Sequence, residues 1–391
     1  MTRKLYYDSP YVSEWQTKLV EMTEVDGKYH IQLEETAFYP EGGGQPFDVG
    51  TIDGINVIDV FEKESRVIHV LEEKPLQTNV DCKIDWERRF DHMQHHTGQH
   101  LLSASIIELF DIETVSFHLG KDTVTIDLNT TSLSDQQLLA IEKSVNQKIY
   151  DNVEIKTYIT DKEGLSSLPL RKLPKVDEDI RIVEIINIDV SACCGTHVSR
   201  TGEIGLIKLL KTEKVRNTTR LHFKCGKRAL QEFHKVNEII SSLTSLYSTN
   251  ADLIIEKTNA TFSELKQLKK QNEVLTEDVL LIEAEQILNK NKGIVISCDF
   301  QDKPMKTLQK LANLIHAKKE CILLFMSLSE NKLLLVNNTE SDFHCGNELK
   351  NAISSFNGKG GGNATQAQAT FSSQEEIQSC FDLIKQNLLK I

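Results

Sequence analysis

Two short histidine-bearing stretches limit how this chain can fold. His95-His96-Thr97-Gly98-Gln99-His100 and Ala192-Cys193-Cys194-Gly195-Thr196-His197 lie far apart in sequence. His96 and His100 are four residues apart, so a helix over them sends both imidazoles off one face, one turn apart. Cys193 and His197 repeat that spacing. Each pair alone is ordinary. A histidine pair on a helix is most often plain surface, and a stripe of Met93, Thr97, His100, Leu101 and Ala104 could simply be buried. Together, three imidazoles and a thiolate make a tetrahedral donor set suited to a single zinc ion. A shared ion would force residues 96 and 197 into contact, a long-range closure that every other element must respect.

A third unusual stretch precedes both pairs: Phe38-Tyr-Pro-Glu-Gly-Gly-Gly-Gln45-Pro-Phe-Asp48-Val-Gly50. It lacks the Lys-Ser/Thr that follows the glycines of a phosphate-binding loop. Glycines in a row let the backbone approach another group closely, and Gln45 brings an amide donor and acceptor to that place. The bland reading is a loose hairpin turn.

An α+β architecture is expected, in four parts. Residues 1–90 read as short strands bounded by Gly, Asp, Asn or Pro: Leu5–Tyr7, His30–Glu34, Gly50–Ile58, Arg66–Leu71 and Val80–Asp85. They suggest a small β-barrel. Residues 91–230 alternate helix and strand. A helix over Asp91–Phe110 carries the first pair, strands follow at Val115–Leu119 and 122–129, and Ser134 caps a helix over Asp135–Tyr150. A short helix is expected over Glu163–Leu168, then strands at Ile180–Ile188, Gly205–Leu210 and Thr219–Lys224, with Cys193 in the loop after the first of these. Residues 231–292 read as long helices, with Leu265, Leu268, Asn272, Leu275, Val279 and Ile282 at coiled-coil spacing. Asn272 at that seam would set the register of a homodimer, although an ordinary helical hairpin fits as well. Residues 293–391 read as a separate α/β unit with a Gly358-Lys-Gly-Gly-Gly362 loop.

Composition narrows the class. The 391 residues are 39% hydrophobic and 26% charged, ordinary for a globular chain. No apolar run reaches membrane-spanning length, and the N-terminus has no signal-like apolar core, so no membrane and a cytoplasmic location are expected. Eight cysteines scattered over so long a chain suggest reduced thiols rather than a disulfide scaffold. The net charge of −12 disfavours nucleic acid. Residues 208–228 run the other way: Lys208, Lys211, Lys214, Arg216, Arg220, Lys224, Lys227 and Arg228 oppose Glu213 alone. That run could hold a phosphate backbone or be a solvated strand-and-turn surface.

Thr36-Ala-Phe-Tyr39, Gly43-Gly-Gln45 with Asp48 and Gly50, His96-x3-His100, and Cys193 with Gly195-Thr196-His197 together resemble the editing domain of alanyl-tRNA synthetase. No aminoacylation domain accompanies them, so the chain is similar to the free-standing AlaX relatives. Gly358–Gly362 and Ala367-Gln-Ala369 look like the synthetase's C-terminal domain, which points to the long AlaX form. Cys194 departs from the pattern, standing where the synthetase usually has Gly, and Asn363-Ala-Thr365 replaces a basic-Pro-Asp stretch.

The resemblance implies a zinc-dependent, ATP-independent deacylase acting on tRNA(Ala) misacylated with Ser or Gly while sparing Ala-tRNA(Ala). It implies one Zn2+ per chain held by His96, His100, Cys193 and His197. Thr36 is expected to contact the serine hydroxyl and Gln45 to position the ester or water. Gly43, Gly44, Arg216, Arg220, Lys359, Gly360 and Gly361 are expected to contact the tRNA. The rival is a non-catalytic, zinc-stabilised tRNA-binding module, against which the Gly-Gly-Gln segment speaks. An unrelated metallohydrolase acting on a small ester or amide would leave the C-terminal unit unexplained.

Overall fold

Asp85 caps the helix around which the N-terminal unit is assembled: its carboxylate accepts from the Arg88 backbone N–H, and the helix runs Trp86–Phe110. This computed structural model describes residues 2–121, 123–171 and 180–390. The helix starts five residues before the expected Asp91 because Asp85, an N-cap residue, lies that much earlier. Arg89, His92 to Ser103, Ser105 and Ile106 are all buried, so polar side chains line its inward faces along with apolar ones.

The chain divides into two compact units, 1–243 and 244–391. In the first unit six strands close in a ring: Glu14–Val25, Lys28–Leu33, Arg66–Leu71, Ile55–Lys63, Gly50–Ile52 and Asn79–Ile84, the last pairing back with the first. Ile31, Leu33, Val60, Val67 and Leu71 fill its interior. The segment expected as one strand over Gly50–Ile58 is a hairpin. Asp53 and Gly54, with φ of 50° and 80°, make the left-handed pair of a two-residue turn. Leu5–Tyr7 is not a strand: Leu5–Asp8 is one helical turn that buries Tyr6 against Tyr39. Glu14–Val25 is a strand that the sequence pattern does not announce. Trp15, Leu19 and Met22 point at the barrel core, but a bulge between Leu19 and Glu21 shifts the alternation by one residue and hides the period of two.

Beside the barrel, a four-stranded sheet runs in the order Ile207–Val215, Thr218–Cys225, Val124–Leu128, Thr114–Leu119. The strand expected over 122–129 is described as Val124–Leu128, and Asp122 lies outside the described residues. The helix Asp135–Tyr150 falls where expected, closed by a capping box between Ser134 and Gln137. A second sheet pairs Ile155–Thr160, Ile180–Ile185 and Asp189–Ala192. The strand expected over Ile180–Ile188 thus ends early and turns back, so the Cys193 loop follows the strand Asp189–Ala192. The short helix spans Lys162–Leu165.

A buried ion pair joins barrel to helix. Both Asp48 and Arg89 side chains are 0% exposed. Arg89 Nε donates to both Asp48 oxygens at 3.1 and 3.0 Å, Nη1 to Pro10 O, and Nη2 to Ala37 O. Asp48 also accepts the Tyr39 N–H at 2.7 Å, and its own N–H returns to Tyr39 O. The Tyr39–Asp48 loop is thereby closed at its base and pinned to the helix that carries His96.

The helix Gly226–Leu246 runs across the boundary between the units. The second unit comprises the 37-residue helix Ile254–Lys290 and a five-stranded sheet. The sheet order is Val295–Phe300, Ile322–Ser327, Lys332–Asn337, Gln366–Thr370, Lys359–Gly362, with only the first pair parallel. Helices Met305–His316, Cys345–Ile353 and Gln374–Leu388 cover it. The glycine-rich segment expected as a loop is the sheet's edge strand, paired with Gln366–Thr370. Residues without side chains carry no alternation from which a strand can be read.

Candidate metal centre

His96, His100, Cys193 and His197 converge, and their ligand atoms all lie within 4.8 Å of one another. The helix supplies the first two from one face, with ring centroids 5.5 Å apart. The loop after Asp189–Ala192 supplies the others. Cys193 Sγ is 3.3 Å from both His96 Nε2 and His197 Nε2. Cys194, one residue on, is exposed and lies outside the cluster.

All three imidazoles are held from behind by Nδ1. His96 Nδ1 meets Gln45 Oε1 at 2.8 Å, His100 Nδ1 meets Asp189 Oδ2 at 3.1 Å, and His197 Nδ1 meets Thr97 Oγ1 at 3.1 Å. A proton kept on Nδ1 leaves Nε2 as the lone-pair nitrogen, and each Nε2 faces the shared centre. Gln45 cannot be flipped, because its Oε1 also accepts the Thr196 backbone N–H at 3.1 Å while its Nε2 donates to Thr196 Oγ1 at 2.9 Å. Asp189 is itself held by Arg171 Nε at 2.8 Å and Ser191 Oγ at 2.9 Å.

Electrostatics favour a thiolate at Cys193 and a neutral ring at His197. Burial alone would push the Cys193 thiol up, but His96 and His197 beside it hold it well below the usual range. Burial pulls His197 down to about 3. Asp189 is lowered despite its burial, by His100 and Arg171. Asp189 and Cys193 raise His100 despite its burial, so an ion would displace the second proton of that ring. Three nitrogens freed of protons and one thiolate are the donor set a borderline divalent ion takes, and four ligands of that kind suit zinc. These residues fit one metal ion.

Gly195 permits the loop to close. A Cβ there would meet His96 Cε1 at 2.1 Å. Arg181 braces the same loop, donating from Nη1 to Cys193 O at 2.8 Å and Gly195 O at 2.9 Å. Its Nη2 is buried with no hydrogen-bond partner among the described residues, and its guanidinium lies 5.1 Å from the Tyr7 ring centre.

The other expected site residues fall into three places. Gln45 is fully buried behind His96, so it touches a ligand of the centre rather than its open side. Thr36 is fully buried in the barrel, its hydroxyl 2.8 Å from His69 Nε2 and accepting the Phe38 N–H at 3.1 Å. Gly43 and Gly44 are exposed at the tip of the loop, and Gly44 O takes the Leu119 N–H at 3.2 Å. Arg216 sits exposed at a hairpin tip. Arg220 is engaged instead by Asp127, through Nε at 2.7 Å and Nη2 at 2.9 Å, a partner distant in sequence and paired across the sheet. Lys359, Gly360 and Gly361 line the exposed edge strand of the second unit. Sequence reasoning misses Asp189, Thr97, Thr196, Arg171 and Arg181. Only Thr97 and Thr196, lying inside the metal stretches, carry a local sign.

Comparison with known proteins matches two domain families within the chain. Residues 180–221 match the model of the threonyl and alanyl tRNA synthetase second additional domain, and residues 291–390 match that of the DHHA1 domain. Over 99% of its length the chain is 32% identical to the alanyl-tRNA editing protein AlaX-L of Pyrococcus horikoshii, covering 98% of that protein. It is 35% identical to the alanyl-tRNA editing protein Aarsd1 of Mus musculus over 79% of this chain and 76% of the relative. The alanine--tRNA ligase of Pyrococcus furiosus is 29% identical over 99% of this chain, which spans 44% of that enzyme. Among solved structures, the C-Ala domain of Aquifex aeolicus alanyl-tRNA synthetase aligns over 24% of this chain and 87% of that one, at 16% identity and a TM-score of 0.21.

Proposed function

Because the chain belongs to the family of alanyl-tRNA editing proteins, we propose that it hydrolyses the ester of misacylated tRNA(Ala), chiefly Ser-tRNA(Ala) and also Gly-tRNA(Ala), and spares Ala-tRNA(Ala). The observation that carries this reading is the His96, His100, Cys193 and His197 centre, with each histidine Nδ1 held from behind, those of His96 and His100 by oxygens that only accept. Zinc is the ion proposed, one per chain. When bound, zinc supplies a Lewis acid that polarises an oxygen or lowers the pKa of a water.

The chain's own residues supply the rest. Gln45 acts through His96, as a positioning residue. Arg181 Nη2 is a buried cation donor without a partner among the described residues, beside the ligand loop, available to a carbonyl oxygen that gains negative charge. Discrimination of serine from the smaller alanine must reward the hydroxyl, since a polar group left unpaired by alanine supports large selectivity. Thr36 is our candidate. His69 Nδ1 lies 3.3 Å from Ile31 O, a carbonyl that can only accept, so His69 Nε2 takes the Thr36 proton. Thr36 would then receive a hydrogen bond from serine, not give one.

The tRNA would contact Gly43, Gly44 and Arg216 in the first unit and Lys359, Gly360 and Gly361 on the second unit's edge strand. Arg220, committed to Asp127, would orient that hairpin rather than hold a phosphate. A homodimer would form through the helix Ile254–Lys290, whose Leu265, Leu268, Leu275, Val279 and Ile282 are 47–63% exposed. No helix among the described residues is long and apolar enough to cross a membrane, and a cytoplasmic location is proposed.

One observation favours the second reading, a zinc-stabilised tRNA-binding module: four protein ligands close a site, as structural zinc sites are closed. Release of labelled amino acid from Ser-, Gly- and Ala-tRNA(Ala), with His96→Ala as control, separates the two. Fast loss of serine, slow loss of alanine and an inactive variant support the deacylase. Tight tRNA binding with no release supports the module.

A further inference from the structure

The N-terminal half of the ligand helix forms one wall of a second concavity, a cleft of about 990 Å³ distinct from the metal ligands. Its floor includes His92, which is 2% exposed, and its Nδ1 is buried with no hydrogen-bond partner among the described residues. A buried polar atom without a partner carries a desolvation cost that a ligand can relieve. Burial, with Arg88 and Arg228 nearby, brings His92 down to about 3, so the imidazole is neutral and offers one donor and one acceptor. Beside it lie Trp86 and Phe90, whose ring centres are 5.7 Å apart with a 31° tilt.

The rim carries Arg88, Lys121, Lys227 and Arg228 against Asp85, Glu87 and Asp91; Lys227 is paired with Glu87 and Arg228 with Asp91, which leaves Arg88 and Lys121 to meet an anion. Arg88 directs Nε and Nη2 to Phe47 O, and Nη1 has no partner among the described residues. Lys121 is exposed and forms no ion pair among them. Aromatic faces, a neutral imidazole with both hydrogen-bonding roles, and free cations are the groups that stack a base, read its edge and hold its phosphate. Position narrows the occupant further. Pro46, in the cleft wall, follows Gln45, which holds His96; His118, also in the wall, follows Phe117, whose ring lies 5.3 Å from that of His96. The cleft therefore begins one residue from the metal centre's supporting groups on two sides.

We propose that this cleft receives an unpaired nucleotide of the tRNA acceptor end, one preceding the 3′-terminal adenosine whose ester lies at the metal centre. The proposal rests on the deacylase reading, and its test has an arm independent of turnover. The protein has two tryptophans, so in a Trp15→Phe background Trp86 is the only indole. Titration of that protein with the trinucleotide CCA should quench Trp86 fluorescence saturably. His92→Ala should weaken the binding roughly tenfold or more, the scale of one lost stacking or base contact. Lys121→Glu, on the exposed rim, should weaken it as well; His92→Gln serves if His92→Ala does not fold.

The second arm compares Ser-tRNA(Ala) with 2′(3′)-O-seryladenosine, which has no preceding nucleotide. The ratio of kcat/KM for tRNA over seryladenosine should fall about tenfold in the cleft variants, through KM. Absence of quenching, or an equal loss on both substrates, overturns the proposal. If the wild-type protein hydrolyses neither substrate, the deacylase reading fails, and the quenching arm alone decides the cleft.

Discussion

Replacing Asp189 should weaken zinc binding although its carboxylate lies outside the four-residue centre. Asp189 is not among the four candidate ligands, yet its carboxylate receives His100 Nδ1 at 3.1 Å, and the pair is buried, with side chains 2% and 5% exposed. The bond keeps the proton on Nδ1, turns Nε2 toward the centre and makes the ring a better donor. In Asp189→Ala three things change together. His100 loses the acceptor that sets its tautomer, Arg171 loses its counter-charge, and Ser191 Oγ loses its acceptor while still accepting from Arg171 Nη2. Loss of such an outer partner lowers metal affinity by roughly 10–100-fold. The upper end applies here because a bond to a charged group is worth about 1.5–3 kcal/mol rather than about 1. Asp189→Asn keeps an acceptor oxygen without the charge and should fall near the lower end, about tenfold. Competition of the metal-free protein with a chromophoric chelator for zinc at fixed pH measures both. Ordered losses, Ala greater than Asn, support the tautomer argument. Affinity within about threefold of wild type for a well-folded Asp189→Ala, well short of that range, would refute it.

Three further predictions test other parts of the molecule. Arg89→Met leaves Asp48 charged, buried and unpaired, and should lower unfolding free energy by about 3–5 kcal/mol in urea titrations; a loss under about 1 kcal/mol would show that the pair does not secure the Tyr39–Asp48 loop. Burial depresses His69 to about 4 from an ordinary 6.5, so the unfolded chain takes up its proton first on acidification. The contribution is full above about pH 6.5, is lost as pH falls toward 4, and amounts to roughly 3 kcal/mol, so His69→Gln should flatten the dependence of stability on pH between 7 and 5. On the basic hairpin, Arg216→Ala should reduce the salt slope of tRNA binding by about one unit, whereas Arg220→Ala should leave it unchanged because Asp127 already engages that guanidinium; equal slopes for both variants would contradict the assignment.

The elements legible from sequence are those with a local signature. Ser134 and Gln137 announce the helix Asp135–Tyr150, and the apolar run of Lys332–Asn337 announces a central strand. The strand Glu14–Val25 is hidden because a bulge resets its alternation midway. Lys359–Gly362 reads as a loop because its pairing with Gln366–Thr370 is made by backbone alone. Leu5–Tyr7 has strand-forming residues, but burial of Tyr6 against Tyr39 favours a helical turn there.

The site divides along the same line. The four residues of the candidate centre can be named from the amino-acid sequence alone, because a metal would demand particular atoms and a helix or tight loop delivers them at a spacing of four. What stands behind the ligands cannot. Asp189 lies 89 residues from His100, Gln45 lies 51 from His96, and Arg220 lies 93 from Asp127. A carboxylate or amide looks the same in sequence whether it faces water or orients a buried imidazole. The difference arises only when barrel, helix and sheet exclude water around it, leaving each buried donor to find an acceptor wherever the fold has placed one.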